Sequence, residues 1–385
     1  MAREARIPVT VITGFLGAGK TTLLNRLLRD PALSDTVVIV NEFGEIGLDH
    51  LFVETGDEGM ILLSSGCLCC TVRGDLVNTL EDLAAKRDDG RIAAFRRIAI
   101  ETTGLADPAP ILHALMSHPT LLSRYALDGV VTLVDAVNGL ATLDAQPEAV
   151  KQAAVADRIV LTKTDLAAGH ADADVAALRR RLRRLNPGAP LLDAAAGEAT
   201  AAAVMGSGPF DPSRKIPDVA GWLHEEAYRD GQAPGGQDHS HGGQDHAHDA
   251  RDQDAHDVNR HDASIRAFSV TSSTPIPMAA LDMFLTLLPS AHGAKLLRMK
   301  GIVDVAEHPG RPVVIHGVQH VVHPPVMLER WPDQDHRTRL VFITRDLDES
   351  FVRRMWDAFS GVVAVDTPDR AALMDNPLAL SRGDA

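Results

Sequence analysis

Gly14-Phe15-Leu16-Gly17-Ala18-Gly19-Lys20-Thr21 decides how the rest of the chain is read. The stretch fits G-x-x-x-x-G-K-[ST], a loop that holds nucleotide phosphates. It follows an apolar run, Ile7 to Ile12, that reads as a strand. It opens an apolar-periodic helix from Lys20 to about Leu28. Strand, loop and helix in that order are the context the motif requires, and they argue against a ligand-free Gly-rich turn. Gly14, Gly17, Ala18 and Gly19 let backbone N–H groups turn inward around phosphate, and the helix N-terminus adds partial positive charge. Lys20 is placed to reach the β and γ phosphates. The Thr21 hydroxyl suits Mg²⁺, with Thr22 next along the helix.

Outward from this loop, short apolar runs alternate with helical ones. Thr36 to Val40, Arg97 to Ile100, Gly129 to Val134 and Arg158 to Thr162 read as strands. Val72 to about Lys86 and Asp172 to Leu185 read as helices. The expectation is an α/β fold: a parallel sheet with helices on both faces. Further strands at Ile265 to Thr271, Leu296 to Val303, Pro312 to His316 and Arg339 to Thr344 accompany helices at Pro277 to Leu288 and Asp348 to Phe359. They imply a smaller C-terminal α+β domain. The expected division is 1–228, a linker at 229–263, a second domain at 264–370 and a tail at 371–385.

Two strand ends carry chemistry. Ile98-Ala99-Ile100-Glu101-Thr102-Thr103-Gly104 ends an apolar strand in a carboxylate. Glu101 there can hold the water shell of Mg²⁺ and polarise a water. The lesser alternative is that it caps the following turn, and Asp135 at the end of Val130 to Val134 is a rival for the role. Leu161-Thr162-Lys163-Thr164-Asp165 follows another strand. Asp165 can accept both N–H donors of guanine while the Lys163 stem covers the base. Adenine lacks that donor pair, so the motif favours GTP over ATP. By itself T-K-x-D is a weak signal; the phosphate loop and the order of elements strengthen it.

The 385 residues carry 38 basic and 52 acidic side chains, a formal charge of −14. That acidity argues against a nucleic-acid partner. No apolar run approaches the roughly 20 residues of a membrane span. The N-terminus lacks the long apolar segment of a signal peptide, so the expected location is the cytoplasm. The only three cysteines, Cys67, Cys69 and Cys70, fall within four residues. Such neighbours do not make a disulfide scaffold and point to metal or redox chemistry. Thiolates suit Zn²⁺, Cu⁺ or Co²⁺. Three so closely spaced do not easily reach one tetrahedral ion, so two plus outside ligands is the physical expectation.

Residues 229–263 have almost no large apolar side chains, which predicts a disordered linker. It holds His239, His241, His246, His248, His256 and His261, read as weak metal capture or as a polar spacer. His113, His118, His292, His316, His320 and His323 are scattered and read as structural or surface groups. The last three are close enough in sequence to be weaker ligand candidates.

GFLGAGKTT, NEFGEIGLD (Asn41 to Asp49), GCLCC (Gly66 to Cys70), ETTGLADP and TKTD occur in one order. Together they resemble the CobW-like metallochaperone family of P-loop GTPases. LLRMKGIV and RLVFITRDL are similar to that family's C-terminal domain, and a His-rich linker is common there. The resemblance spans roughly residues 7 to 366. It implies a P-loop GTPase fold with GTP and Mg²⁺ as cofactors, Thr21 and Glu101 on the Mg²⁺ side, and Lys20 and Glu101 as catalytic groups. It implies slow GTP hydrolysis coupled to transfer of a transition metal, Zn²⁺ first and Co²⁺ second. Cys67, Cys69 and Cys70 would supply thiolates, with Glu42 as a further ligand. The cargo would pass to a client metalloprotein, and metal binding could bring copies together as a homo-oligomer. One departure is Thr162 where many relatives have asparagine, which predicts a weaker loop-holding contact.

Three rivals remain at this point. A cobalt chaperone of cobalamin synthesis differs only in cargo. A nucleotide-independent metal buffer or sensor would not need Lys20. A small-molecule kinase would leave TKTD and the cysteines without a role.

Overall fold

A computed structural model describes residues 6–40, 72–167, 169–170, 173–205 and 264–361. Twelve strands lie among them. Six are β1 Ile7–Gly14, β2 Thr36–Val40, β3 Arg97–Glu101, β4 Tyr125–Asp135, β5 Arg158–Thr162 and β6 Leu191–Asp193. The others are β7 Ile265–Ser272, β8 Leu296–Val303, β9 Val313–Val318, β10 Val321–Val322, β11 Val326–Met327 and β12 Thr338–Arg345. The helices are α1 Lys20–Leu28, α2 Val72–Asp88, α3 Ala109–Ser117, α4 Pro119–Arg124, α5 Gly139–Ala145, α6 Pro147–Ala154, α7 Thr164–Ala167, α8 Val175–Leu185, α9 Ala201–Val204, α10 Met278–His292 and α11 Glu349–Ser360.

The first six strands form one parallel sheet in the order β2-β3-β1-β4-β5-β6. Its strands are nearly all apolar because both faces are covered. Val9, Val11, Val37, Ile39, Ile98 and Ile100 point one way, onto Leu80 of α2 and Leu112 of α3. Their neighbours Ile12, Val38, Val40, Ala99, Val131 and Leu133 point the other way, onto Leu23, Leu24 and Leu27 of α1. The register aligns the C-terminal strand ends: Ile12 lies beside Glu101, Gly14 beside Leu133, and Asp135 beside Thr162. In parallel sheets ligands collect at that edge.

β4 begins at Tyr125, four residues before the expected start at Gly129. Asp128 lies inside the strand. It is buried, and Thr10 Oγ1 donates to it at 2.8 Å, so the strand continues through the carboxylate. α8 starts at Val175, not at Asp172, because the Asp174 side chain caps it by accepting the Ala177 N–H. Helices α3, α4 and α6 were obscured by their prolines, which sit in the first turn. There the missing N–H costs nothing.

The second sheet is antiparallel, ordered β10-β9-β8-β12-β7, with β11 on β9. One face packs on α10 and α11, where Phe284 meets Trp356 edge-on at 5.1 Å between ring centroids. α10 runs through Pro289 to His292, past the expected stop at Leu288. The other face is covered too. Leu297 and Ile343 join the core beneath α6 and α8, and Val318 joins the core beneath α2 and α3. β8 is therefore buried along all eight residues, including Arg298 and Lys300. Among the described residues no helix is long and apolar enough to cross a membrane. Residues 229–263 and 371–385 lie outside the described set.

Candidate nucleotide site

α1 has no side-chain cap and no acidic residue in its first turn, so its open N–H groups favour an anion. Gly19, immediately before it, has φ +84°, a left-handed conformation that glycine adopts without strain. Gly14 has no room for a side chain: a Cβ there would lie 2.4 Å from the Leu133 carbonyl oxygen. The Ala18 N–H donates to the Phe15 carbonyl at 3.1 Å and closes the turn between them. Lys20 Nζ donates to the Gly14 carbonyl at 3.0 Å and to the Phe15 carbonyl at 3.3 Å. The loop thus folds around its own lysine, which is largely buried. Thr22 is exposed on α1.

β3 delivers Glu101 to this loop. Thr21 Oγ1 donates to Glu101 Oε1 at 2.6 Å, and Glu101 is only 4 % exposed. Asp135, the rival carboxylate, is engaged elsewhere. Its Oδ2 accepts Lys163 Nζ at 2.8 Å, and its Oδ1 accepts the Val137 N–H. Burial would raise its pKa, but the bonds from Lys163, Val137 and Asn138 outweigh that and hold it below the usual carboxylate range. The two acids thus divide: Glu101 serves the loop hydroxyl and Asp135 pairs with the Lys163 ammonium.

Lys163 occupies φ +58°, bending the chain as it leaves β5. Asp165 sits beyond it on α7 with its side chain exposed. Thr162, where an asparagine was expected to hold this loop more firmly, still makes a contact of its own. Thr162 Oγ1 donates to the Ala18 carbonyl at 2.8 Å and so ties the loop to the phosphate loop directly. Asp193, which the motif reading passed over, adds a second tie. At the end of β6 it accepts Thr164 Oγ1 at 2.6 Å and the N–H groups of Ala195 and Ala196.

Gly104 is a third residue whose part is visible only in three dimensions. A Cβ there would come within 2.6 Å of the Leu16 backbone nitrogen, so the loop after Glu101 rests on the phosphate loop through a glycine. Thr102 Oγ1 donates to Thr13 Oγ1 at 2.8 Å and fixes the same seam from below.

Glu42, Cys67, Cys69, Cys70 and the linker histidines His239, His241, His246, His248, His256 and His261 lie outside the described residues. Among the described residues no group of three or more His, Cys, Asp and Glu side chains is placed to hold a metal ion. The six scattered histidines read as structural or surface groups have the following surroundings. His113 Nε2 pairs with the Val318 carbonyl, His292 packs edge-on against Phe351, and His118 stands 3.9 Å from Glu81. His320 Nδ1 pairs with the Pro289 carbonyl and His323 Nδ1 with that of Pro324. His316 is buried beside Arg298, Lys300 and Asp157.

Residues 8–193 match the CobW/HypB/UreG nucleotide-binding domain, and residues 265–360 match the cobalamin synthesis protein cobW C-terminal domain. The chain is 32 % identical over 356 residues to the zinc chaperone YjiA of Escherichia coli, covering 92 % of this chain and 98 % of that one. It is 29 % identical over 386 residues to the zinc chaperone CobW of a Sinorhizobium species, covering 91 % and 97 %. The crystal structure of Zn(II)-bound YjiA GTPase superposes with a TM-score of 0.63 at 27 % identity, covering 92 % of this chain and 99 % of that one.

Proposed function

The chain belongs to the CobW/HypB/UreG family of nucleotide-binding proteins and carries that family's C-terminal domain, and from that premise we propose that it is a GTP-hydrolysing zinc metallochaperone. The observation that carries the nucleotide half is the pairing of Thr21 Oγ1 with Glu101 Oε1 at 2.6 Å, beside an uncapped helix N-terminus and Lys20. Phosphate would be held by the α1 N–H groups and Lys20. Thr21 and Glu101 are an oxygen pair suited to Mg²⁺, which supplies charge neutralisation across the phosphates when bound. Glu101 would orient the attacking water. Asp165 would read the guanine edge, with the Lys163 stem over the base.

Zinc is the cargo in this reading. The relatives named zinc chaperones support it, and thiolate chemistry agrees. Cys67, Cys69 and Cys70, with Glu42, would carry the ion. They lie in sequence between β2 and α2, the interval that senses the γ-phosphate in GTPases. GTP would raise zinc affinity, and hydrolysis would release the ion to a client metalloprotein. Cobalt is the alternative cargo.

The test of the nucleotide half is GTP turnover in the Zn²⁺-loaded protein. Hydrolysis in Lys20→Ala should fall roughly 100- to 1000-fold, the scale of losing one preorganised electrostatic group. Unchanged turnover in that variant would remove the phosphate loop from the reaction.

A further inference from the structure

The loop that follows Glu101, residues 102–108, belongs to no helix or strand. It is nevertheless held along its length. At its start the Thr102 N–H donates to the Ile12 carbonyl at 2.9 Å. In its middle Gly104 rests on the Leu16 backbone. At its end Asp107 Oδ1 accepts the Ala109 N–H at 2.9 Å, and Oδ2 accepts Lys151 Nζ at 3.2 Å. Gln152 of α6 supplies a further hold. Its Nε2 donates to the Gly104 carbonyl at 3.2 Å and to the Ala106 carbonyl at 3.0 Å. Two carbonyl partners identify that end of the amide as the nitrogen.

By composition Gln152 is out of place on its helix. The residues buried with it on α6 are Ala149, Val150, Ala153 and Ala154. A primary amide with no exposure costs free energy unless its hydrogen bonds are made. Both N–H groups are spent on the loop after β3. The backbone of the same residue is fixed to β4, because Thr132 Oγ1 donates to the Gln152 carbonyl at 2.7 Å. β3 and β4 flank β1 in the sheet. The side chain therefore reaches across the strand that leads into the phosphate loop and draws the β3 loop onto it.

We propose that Gln152 is a positioning residue for GTP hydrolysis, holding the loop after Glu101 on its seat against the phosphate loop. The proposal rests on the GTPase reading. Gly104 follows Glu101 by three residues, so a seated Gly104 limits how far Glu101 can drift from the Thr21 hydroxyl. The α1 N–H groups and Lys20 belong to another element and keep their place without Gln152. Loss of its two bonds should thus cost the reaction and spare nucleotide binding. Displacement of a catalytic group by about 1 Å can cost roughly 100-fold.

The test is steady-state GTP turnover in full-length Gln152→Met, similar in size but without donors, well below its melting temperature. The expected result is kcat lower by roughly 10- to 100-fold, with KM and GDP affinity within about threefold of wild type. Gln152→Asn keeps an amide one methylene short of the loop and should show the same split; it serves if the first variant does not fold. Tyr125→Phe is the control. It also removes a buried donor, from the Leu80 carbonyl, but far from the loop, and kcat should hold. Amide hydrogen exchange with GDP bound gives a readout apart from turnover: residues 103–107 should exchange faster in Gln152→Met, and residues 15–19 should not. Wild-type kcat in the folded variant would overturn the proposal. So would a raised KM at constant kcat, an equal loss in Tyr125→Phe, or unchanged exchange at 103–107. Turnover unaffected by Lys20→Ala would defeat the GTPase reading instead; turnover lost there but kept in Gln152→Met would defeat this proposal alone.

Discussion

The phosphate-loop edge and the seam between the two sheets use the same kinds of side chain to opposite ends. At the edge, Lys20, Thr21, Glu101 and Lys163 stand at strand ends and helix starts, where the backbone opens toward a ligand. At the seam, Arg298 and Lys300 of β8 converge on Asp157, which lies between α6 and β5, and both bond its Oδ1. The Val130 N–H donates to Asp157 Oδ2 at 2.8 Å, and His316 of β9 lies opposite Lys300 in the sheet. Burial would raise the Asp157 carboxyl, but Arg298 and Lys300 hold it far below the usual range. Burial, with Arg298 beside it, brings Lys300 down to about 8. One set of charges is arranged to receive something; the other is closed on itself and joins two halves of the molecule.

The difference sets the size of what mutation should do. Asp157→Ala would leave Arg298 and Lys300 buried together without their carboxylate. Breaking a buried ion cluster this way costs about 3–5 kcal/mol, so denaturant unfolding should shift by that order. A loss below about 1 kcal/mol would mean the seam is wet and the comparison false. Gly104→Ala comes next. Its Cβ meets the Leu16 backbone, which a flexible side chain cannot relieve. The expected cost is about 1–3 kcal/mol, with weakened GDP binding because the phosphate loop must shift. Retained GDP affinity would show that the two loops move independently.

The smallest effect is pH dependence, and it belongs to the seam. Burial, then Arg298 and Lys300, hold His316 neutral well below its ordinary pKa, against opposing attraction from Asp157 and a smaller push from His323. The unfolded chain takes up a proton on this histidine as pH falls through about 6.5, while the folded chain does not. Stability should therefore decline as pH drops below about 6.5, and His316→Gln should flatten that decline. A melting temperature equally pH-dependent in the variant would place the titration on another group.

The two regions also differ in how far the sequence disclosed them. The phosphate loop is local: eight consecutive residues contain its glycines, lysine and threonine, and Glu101 and Lys163 follow recognisable strands. The seam is not local. In LLRMKGIV, Arg298 and Lys300 alternate with apolar residues, which is the pattern of a strand with one face in water. Only packing of that face onto Asp157, 141 and 143 residues away, turns it into an interior. The tie from Thr162 to Ala18, the seat of Gly104 on Leu16 and the reach of Gln152 to the Gly104 carbonyl were hidden for the same reason. Each depends on where a distant backbone passes. The metal motif stands at the other extreme: Cys67, Cys69 and Cys70 are plain in the sequence and lie outside the described residues.

Control of zinc by GTP is the central claim, and zinc competition titration tests it most directly. Zn²⁺ affinity is measured with GDP and then with a non-hydrolysable GTP analogue, in the wild type and in Cys69→Ala. The account predicts tighter zinc binding with the analogue, by at least the roughly fivefold lower end of typical coupling between sites, and loss of the gain in Cys69→Ala. Equal zinc affinity in the two nucleotide states would contradict it and leave a metal buffer beside an uncoupled GTPase.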